Sequence, residues 1–192
     1  MTRLIALLVL AAAPALAGER YALKASGSRL GFHGVASLHS FDAKVQEFTG
    51  EGEWNGGWNT SRGQLTIPVK KIDTGIGARN NKMFELIDAA KYPTMTFKVM
   101  GVEELPNRTE DGRVLEDLPA GVTKCAVKGE LTLRGVTNPV RGVGKCSRLA
   151  NGVAVEGTAP VDMTAYGITP PKVAFITMNP VVDVNYQLRF ER

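Results

Sequence analysis

One stretch, Lys124 to Ser147, constrains the fold of this chain more than any other, because it reads as a single β-hairpin. One arm runs from Cys125 to Leu133 and the other from Pro139 to Cys146, with Arg134-Gly135-Val136-Thr137-Asn138 between them. Gly135 and the Asn138-Pro139 step are turn formers. A turn centred between Gly135 and Val136 makes the numbers of cross-strand partners sum to 271, which sets Cys125 opposite Cys146. Opposed residues of an antiparallel pair lie about 4.5–5.5 Å apart at Cα, within disulfide reach. These are the only two cysteines in the chain, so they read as a staple, worth roughly 3 kcal/mol on the chain-entropy model. No Cys-x-x-Cys spacing points to redox catalysis.

A staple needs an oxidising compartment, and the N-terminus predicts one. Met1-Thr2-Arg3 is a short positive start, Leu4 to Ala13 is unbroken apolar sequence, and Ala15-Leu16-Ala17 is a small-x-small cleavage site. That is the layout of a secretory signal peptide over residues 1–17, too short to span a membrane. No cysteine follows the cleavage point, so a lipoprotein is not expected. The mature chain, 18–192, is expected to be periplasmic or secreted, soluble and disulfide-permissive. Its length fits one domain. Losing Arg3 takes the net charge from +4 to +3, with acids and bases interspersed. Such a surface does not suggest nucleic-acid binding but suits transient contact with a membrane surface. Monomer and homodimer stay open.

Period-2 alternation recurs along the mature chain. Tyr21 to Val35 reads as an opening strand with Leu30 and Phe32 on one face and His33 on the other. A second covers Ala43 to Trp54, with Phe48, Gly50, Gly52 and Trp54 in phase, and Trp58 beyond it reads as a surface or rim aromatic. A third, Gln64 to Ile72, carries Leu65, Ile67 and Val69, and its Pro68 marks an edge, bulge or corner. From Gly77 to Lys91 the period changes: Met83, Phe84, Leu86, Ile87 and Ala90 recur at three and four, which predicts an amphipathic helix ended by Tyr92-Pro93. Strand spacing returns at Thr94 to Val102 with Met95, Phe97 and Val99, and Glu103 to Gly121 reads as an exposed acidic excursion. After the hairpin come Gly152 to Gly157 and Val161 to Met163. Last, Val182, Val184, Tyr186, Leu188 and Phe190 alternate with polar residues. About eight or nine strands in sequential hairpins, with one helix, predict a mainly β protein: an antiparallel up-and-down barrel with the helix capping one end. A two-sheet sandwich shares this periodicity.

Catalytic chemistry is hard to find. His33 and His39 are six apart and do not converge with acids or cysteines as a metal site would. No nucleophile elbow, phosphate loop, zinc-helix or haem motif occurs, and no two of Asp73, Glu85, Asp88, Asp162 and Asp183 pair as acid and base. No catalytic residue and no metal ligand is assigned. The remaining resource is apolar. Phe32, Phe48, Trp54, Leu65 and Ile67 from the first strands, with Met95, Phe97, Val127 and Leu131 from the middle ones, would face one interior. Met163, Val184, Tyr186 and Leu188 complete it, and Met83, Phe84 and Ile87 on the helix would cover it. Such residues form either a filled core or a tunnel for a lipid-like chain.

Gly129-Glu130-Leu131-Thr132-Leu133-Arg134-Gly135-Val136-Thr137-Asn138-Pro139-Val140 closely resembles the signature of the YceI-like, polyisoprenoid-binding family. Ile72-Asp73-Thr74 followed by Ala90-Lys91-Tyr92-Pro93-Thr94-Met95-Thr96-Phe97 is similar to a second block of that family. His39-Ser40-Phe41 with Phe48-Thr49-Gly50, and later Tyr166-Gly167-Ile168, extend the likeness in order through most of the mature chain. The resemblance implies a periplasmic or secreted lipocalin-like barrel with a helix over one end and a hydrophobic pore. The pore would hold an isoprenoid or other amphiphilic lipid, and no catalytic activity is implied. Where many members carry an Arg-Asp-x-His-Leu run, this chain has Arg79-Asn80-Asn81-Lys82-Met83, so no role for that acid and histidine carries over. The expected ligand is thus a small amphiphilic lipid, isoprenoid or quinone-like, with its head near Arg79, Lys82 or Lys91, and no other cofactor. Other readings stand beside it: an enzyme using His39 or Asp73 on a lipid at the barrel mouth, an outer-membrane barrel, and a structural stress protein with a filled core.

Overall fold

The alternation of Val181–Glu191 places one apolar and one polar row on a strand, and in the computed structural model that strand is the seam of a closed sheet. Residues 18–173 and 175–192 are described; the leader expected over 1–17 lies outside them. The wall begins with three broken strands. β1 (Glu19–Leu23) and β2 (Arg29–Val35) are pieces of the first, β3 (Ser40–Val45) and β4 (Thr49–Trp54) of the second, β5 (Arg62–Pro68) and β6 (Ile72–Asp73) of the third. After α1 (Gly77–Ile87) come β7 (Thr94–Glu104), β8 (Val122–Leu133), β9 (Val136–Leu149) and β10 (Gly152–Asp162). A separate small hairpin, β11 (Lys172–Val173) with β12 (Ile176–Thr177), precedes β13 (Val181–Glu191).

Each strand pairs antiparallel with the next, and β13 returns to the first. It pairs with β2 over Asp183–Gln187 and with β1 at Phe190 and Glu191. The fold is therefore the expected eight-stranded up-and-down barrel, and the closing pairs of β13 exclude the sandwich that shares its alternation. Breaks in the early strands are local. The run read as one strand from Tyr21 to Val35 is interrupted at Lys24–Ser28, and that from Ala43 to Trp54 at Gln46–Phe48. Pro68 is a corner, where the chain turns through Val69–Lys71 before resuming as β6. The stretches read separately as Gly152–Gly157 and Val161–Met163 run together as the continuous β10, which ends at Asp162, with Met163 opening a short 3-10 turn. α1 ends at Ile87, before the Lys91 expected of it. Asp88 takes the left-handed conformation there (φ 56°), and its N–H and that of Ala89 return to Glu85 and Phe84, a helix-ending arrangement that Asp tolerates.

The stapled hairpin is tighter than the sequence suggests. Arg134 and Gly135 alone make the turn, with φ of 53° and 75°, the left-handed pair that matches strand twist. Leu133 therefore faces Val136, and partner numbers sum to 269, not 271. Cys125 lies opposite Gly144, and Cys146 opposite Thr123. The cysteines are diagonal neighbours on one inward face, 5.9 Å apart at Cα, and are joined by a disulfide. Asn138-Pro139, weighed above as a turn former, lies within β9. The β9–β10 ladder stops at Val143 and Thr158, so Pro139 occupies a free edge, where proline is tolerated.

Candidate functional site

Inward rows of all eight strands leave the barrel axis open. A cavity of about 670 Å³ runs from α1, which covers the mouth, to the disulfide end, the base. Volumes of about 300–1,000 Å³ hold small-molecule ligands, and such sites are mostly apolar with few polar groups. At the mouth, Met83, Leu86 and Ile87 of α1 face the lumen, with Phe41, Ile168 and Met178 around them. Mid-barrel the wall is built by Leu65, Met95, Phe97, Leu131, Val184 and Leu188. The interior is thus not a filled core. Outward positions of β13 are Asp183, Asn185, Gln187, Arg189 and Glu191. Transmembrane barrels instead carry an outward apolar band.

Polar groups gather at the two ends. Arg79 and Lys82 line the mouth. The Arg79 guanidinium lies 4.1 Å over the Phe41 ring, and Lys82 Nζ is 2.8 Å from Glu85. Lys91 does not line the cavity; its ammonium sits by the Tyr92 ring instead. Asn80 ties the start of α1 to the strand before it. Its Oδ1 accepts from the Thr74 N–H and hydroxyl, and its Nδ2 donates to Asp73. That bond, with the Gly75 N–H, holds the Asp73 carboxyl below its ordinary value. At the base, Trp54 and Trp58 stack edge to face at 4.9 Å, and Arg148 lies 4.6 Å over Trp54. Trp58, read as a surface or rim aromatic, is half-buried at the base end of the cavity, packed against the disulfide cluster. Glu19 binds Arg148 at 2.8 Å and Arg192 at 2.6 Å and accepts from the Tyr21 hydroxyl.

Of the residues expected to line a pore, Phe32, Trp54, Leu65, Ile67, Met83 and Ile87 do line the cavity. So do Met95, Phe97, Val127, Leu131, Met163, Val184, Tyr186 and Leu188. Phe48 and Phe84 do not. Phe48 falls in the break before β4, where alternation lapses, and packs against the core cluster that contains Leu65, Ile67 and Leu188. Phe84 lies about 100° around the helix from Met83 and packs into the cluster of Val69, Leu133 and Tyr166. Among the lining residues missed, Val153, Val155, Val182 and Phe190 share the alternation of their strands and were legible from it. Val102 was not, because a bulge between Val99 and Gly101 shifts the phase of β7. His39 lies at the mouth, while His33 bonds Asp42 at 2.8 Å at the protein surface. Among the described residues, no three His, Cys, Asp or Glu side chains gather as metal ligands would.

A family model described as a YceI-like domain matches residues 21–190. Solved structures share the fold. A Burkholderia cenocepacia protein, BcnA, is 17% identical with a TM-score of 0.68, over 87% of this chain and 98% of its own. A polyisoprenoid-binding domain from Saccharophagus degradans, implicated in plant cell wall breakdown, is 20% identical with a TM-score of 0.65, over 89% of this chain and 97% of its own. The Campylobacter jejuni YceI protein is 13% identical with a TM-score of 0.59, over 81% and 87%. No curated protein matches in sequence.

Proposed function

The chain belongs to the YceI-like family, and from that premise we propose that it is an exported lipid-binding protein holding one long apolar chain, isoprenoid or similar, inside the barrel for transport or storage. The observation that carries this reading is the continuous apolar cavity of about 670 Å³. Each methylene brought into it gains about 0.8 kcal/mol, from which the cost of ordering the ligand is subtracted. A bent or branched chain needs a wall that adapts, and Met83, Met95 and Met163 supply side chains of that kind. A polar head would remain at the mouth beside Arg79 and Lys82. The polyisoprenoid-binding domain that shares the fold supports the ligand class. The apolar run and small-x-small site over 1–17 support periplasmic or secreted placement after cleavage near Ala17.

Native mass spectrometry of protein purified from its own compartment, followed by solvent extraction, tests the reading. A discrete co-purifying lipid is the expected result. An apo mass with no uptake of added prenyl or fatty lipids would overturn it. Two lumen variants sharpen the outcome. Leu131→Asp introduces a charge into the wall and is expected to abolish retention, while Val184→Phe adds only bulk and is expected to reduce it with the fold intact. A folded Val184→Phe protein that retains lipid as the parent does would place the ligand elsewhere.

A further inference from the structure

The mouth of the barrel presents exposed apolar side chains together with a net-basic set of connections. Leu38, Ile76 and Phe175 are 67%, 50% and 76% exposed, and none of them lines the cavity. They stand on three connections that leave the mouth: β2 to β3, the entry to α1, and the tip between β11 and β12. These connections are joined to one another. Ser37 donates its N–H to the Thr177 carbonyl at 3.1 Å, and the Thr177 N–H donates to the Ser37 hydroxyl at 3.2 Å, so the Leu38 loop and the Phe175 hairpin are held side by side. Arg79 of α1 reaches across to the Phe41 ring, three residues beyond Leu38. Large apolar side chains held exposed around a single opening are costly to leave in water, and such patches mark surfaces with a partner.

Charge indicates which partner. The connections at the mouth carry Arg79, Lys82, Lys91, Arg134 and Lys172 against Glu85 and Asp88. Those at the base carry Arg108 and Arg113 against Glu110, Asp111, Glu116 and Asp117. The mouth connections are therefore net basic, whereas at the base Glu116 is paired with Lys124 and Lys145 and Glu19 with Arg148 and Arg192. Apolar tips ringed by cations suit the boundary between anionic headgroups and acyl chains, where apolar burial and electrostatic attraction act together. We propose that the mouth end docks on an anionic lipid surface, with Leu38, Ile76 and Phe175 entering the headgroup layer and the ring of Lys and Arg meeting phosphates. This deepens the carrier reading and rests on it. A docked mouth lets an acyl or prenyl tail pass between bilayer and cavity with little exposure to water.

Sedimentation with vesicles tests the docking. The protein is expected to bind vesicles containing phosphatidylglycerol, to bind phosphatidylcholine vesicles far more weakly, and to lose binding as salt rises. The variant Leu38→Ser/Ile76→Ser/Phe175→Ser should bind about tenfold more weakly or worse. It should keep its melting temperature and its uptake of a fluorescent prenyl alcohol. Val114→Ser/Leu115→Ser, exposed at the base, should bind like the parent. Equal binding by the triple variant and the parent would overturn the proposal, as would equal losses in the two variants. So would a parent that ignores vesicles but forms dimers that the triple variant cannot, since the patch would then serve a second copy. A parent that takes up the prenyl alcohol yet ignores vesicles refutes docking alone. Vesicle binding without any uptake refutes the carrier reading instead.

Discussion

Tyr186 points its ring across the lumen wall, and its hydroxyl presses into a notch where β9 and β10 both present glycine. A methyl group added at Gly142 would sit 2.6 Å from that oxygen, and one at Gly157 would sit 2.7 Å from it. The fit has a cost. Among the described residues the hydroxyl finds no hydrogen-bond partner, and burial pushes its ionisation up to about 12. Removing an unsatisfied buried group while keeping its ring should be neutral or mildly favourable, by up to about 1 kcal/mol. Tyr186→Phe is therefore expected to unfold at the same urea concentration as the parent or a higher one. Gly142→Ala, which closes the notch, should cost about 1–3 kcal/mol. Combined with Tyr186→Phe it should cost less, because the worst contact is gone. Additive effects in the double variant would show that notch and hydroxyl do not interact. Glycines 142 and 157 show why a sequence understates such a site: an inward position without a side chain looks like a gap in the alternation, although it makes room for a ring from the neighbouring strand.

At the scale of elements, the stapled hairpin sets the stability of the base. Cys125 and Cys146 are fully buried beside Val102 and Val127, so the bond replaces core packing as well as linking β8 to β9. Cys125→Ala/Cys146→Ala is expected to cost about 3 kcal/mol on the chain-entropy model, read as a lower denaturant midpoint. An unchanged midpoint would mean that the hairpin's own ladder already restricts the unfolded chain. The same hairpin shows what could be read in advance. Its existence, its two strands and its disulfide partners follow from alternation and from there being only two cysteines. Its register does not, because the choice between Arg134-Gly135 and Gly135-Val136 as the turn depends on an arginine accepting a left-handed backbone. Likewise α1 was visible in its period, but the end at Ile87 depends on Asp88 doing the same. The β11–β12 hairpin was not visible at all, since two-residue strands show no period. Most of the cavity wall was legible; Phe48 and Val102 fall where a break or a bulge resets the phase, and Phe84 lies on the helix face turned toward the core cluster rather than the lumen.

Across the whole molecule, the base is held by charge where the first and last described strands meet. Glu19 accepts from the Tyr21 hydroxyl and pairs with Arg192 and Arg148, which together hold its carboxyl at about 2 against an ordinary 4.5. The folded state therefore favours the carboxylate. Its stabilisation is complete above about 4.5 and is lost as the pH falls through the folded value near 2. Glu19→Gln should lower the melting temperature at neutral pH by a modest amount, because the pair is exposed and screened. The gap from the parent should close between pH 4.5 and 2, and a constant gap would mean that the carboxylate's charge contributes nothing. This clamp lies next to the place where β1 meets β13, through Leu23 opposite Phe190. Every other neighbouring pair in the ring can form as soon as its hairpin has been synthesised, but this one joins the first and last described strands. Until the last dozen residues are available, seven strands lie as an open sheet with two bare edges and an apolar face exposed. The protein is thus most exposed to misassembly while it is nearly complete, and the arrival of its final strand protects the edges and encloses the lumen in one event.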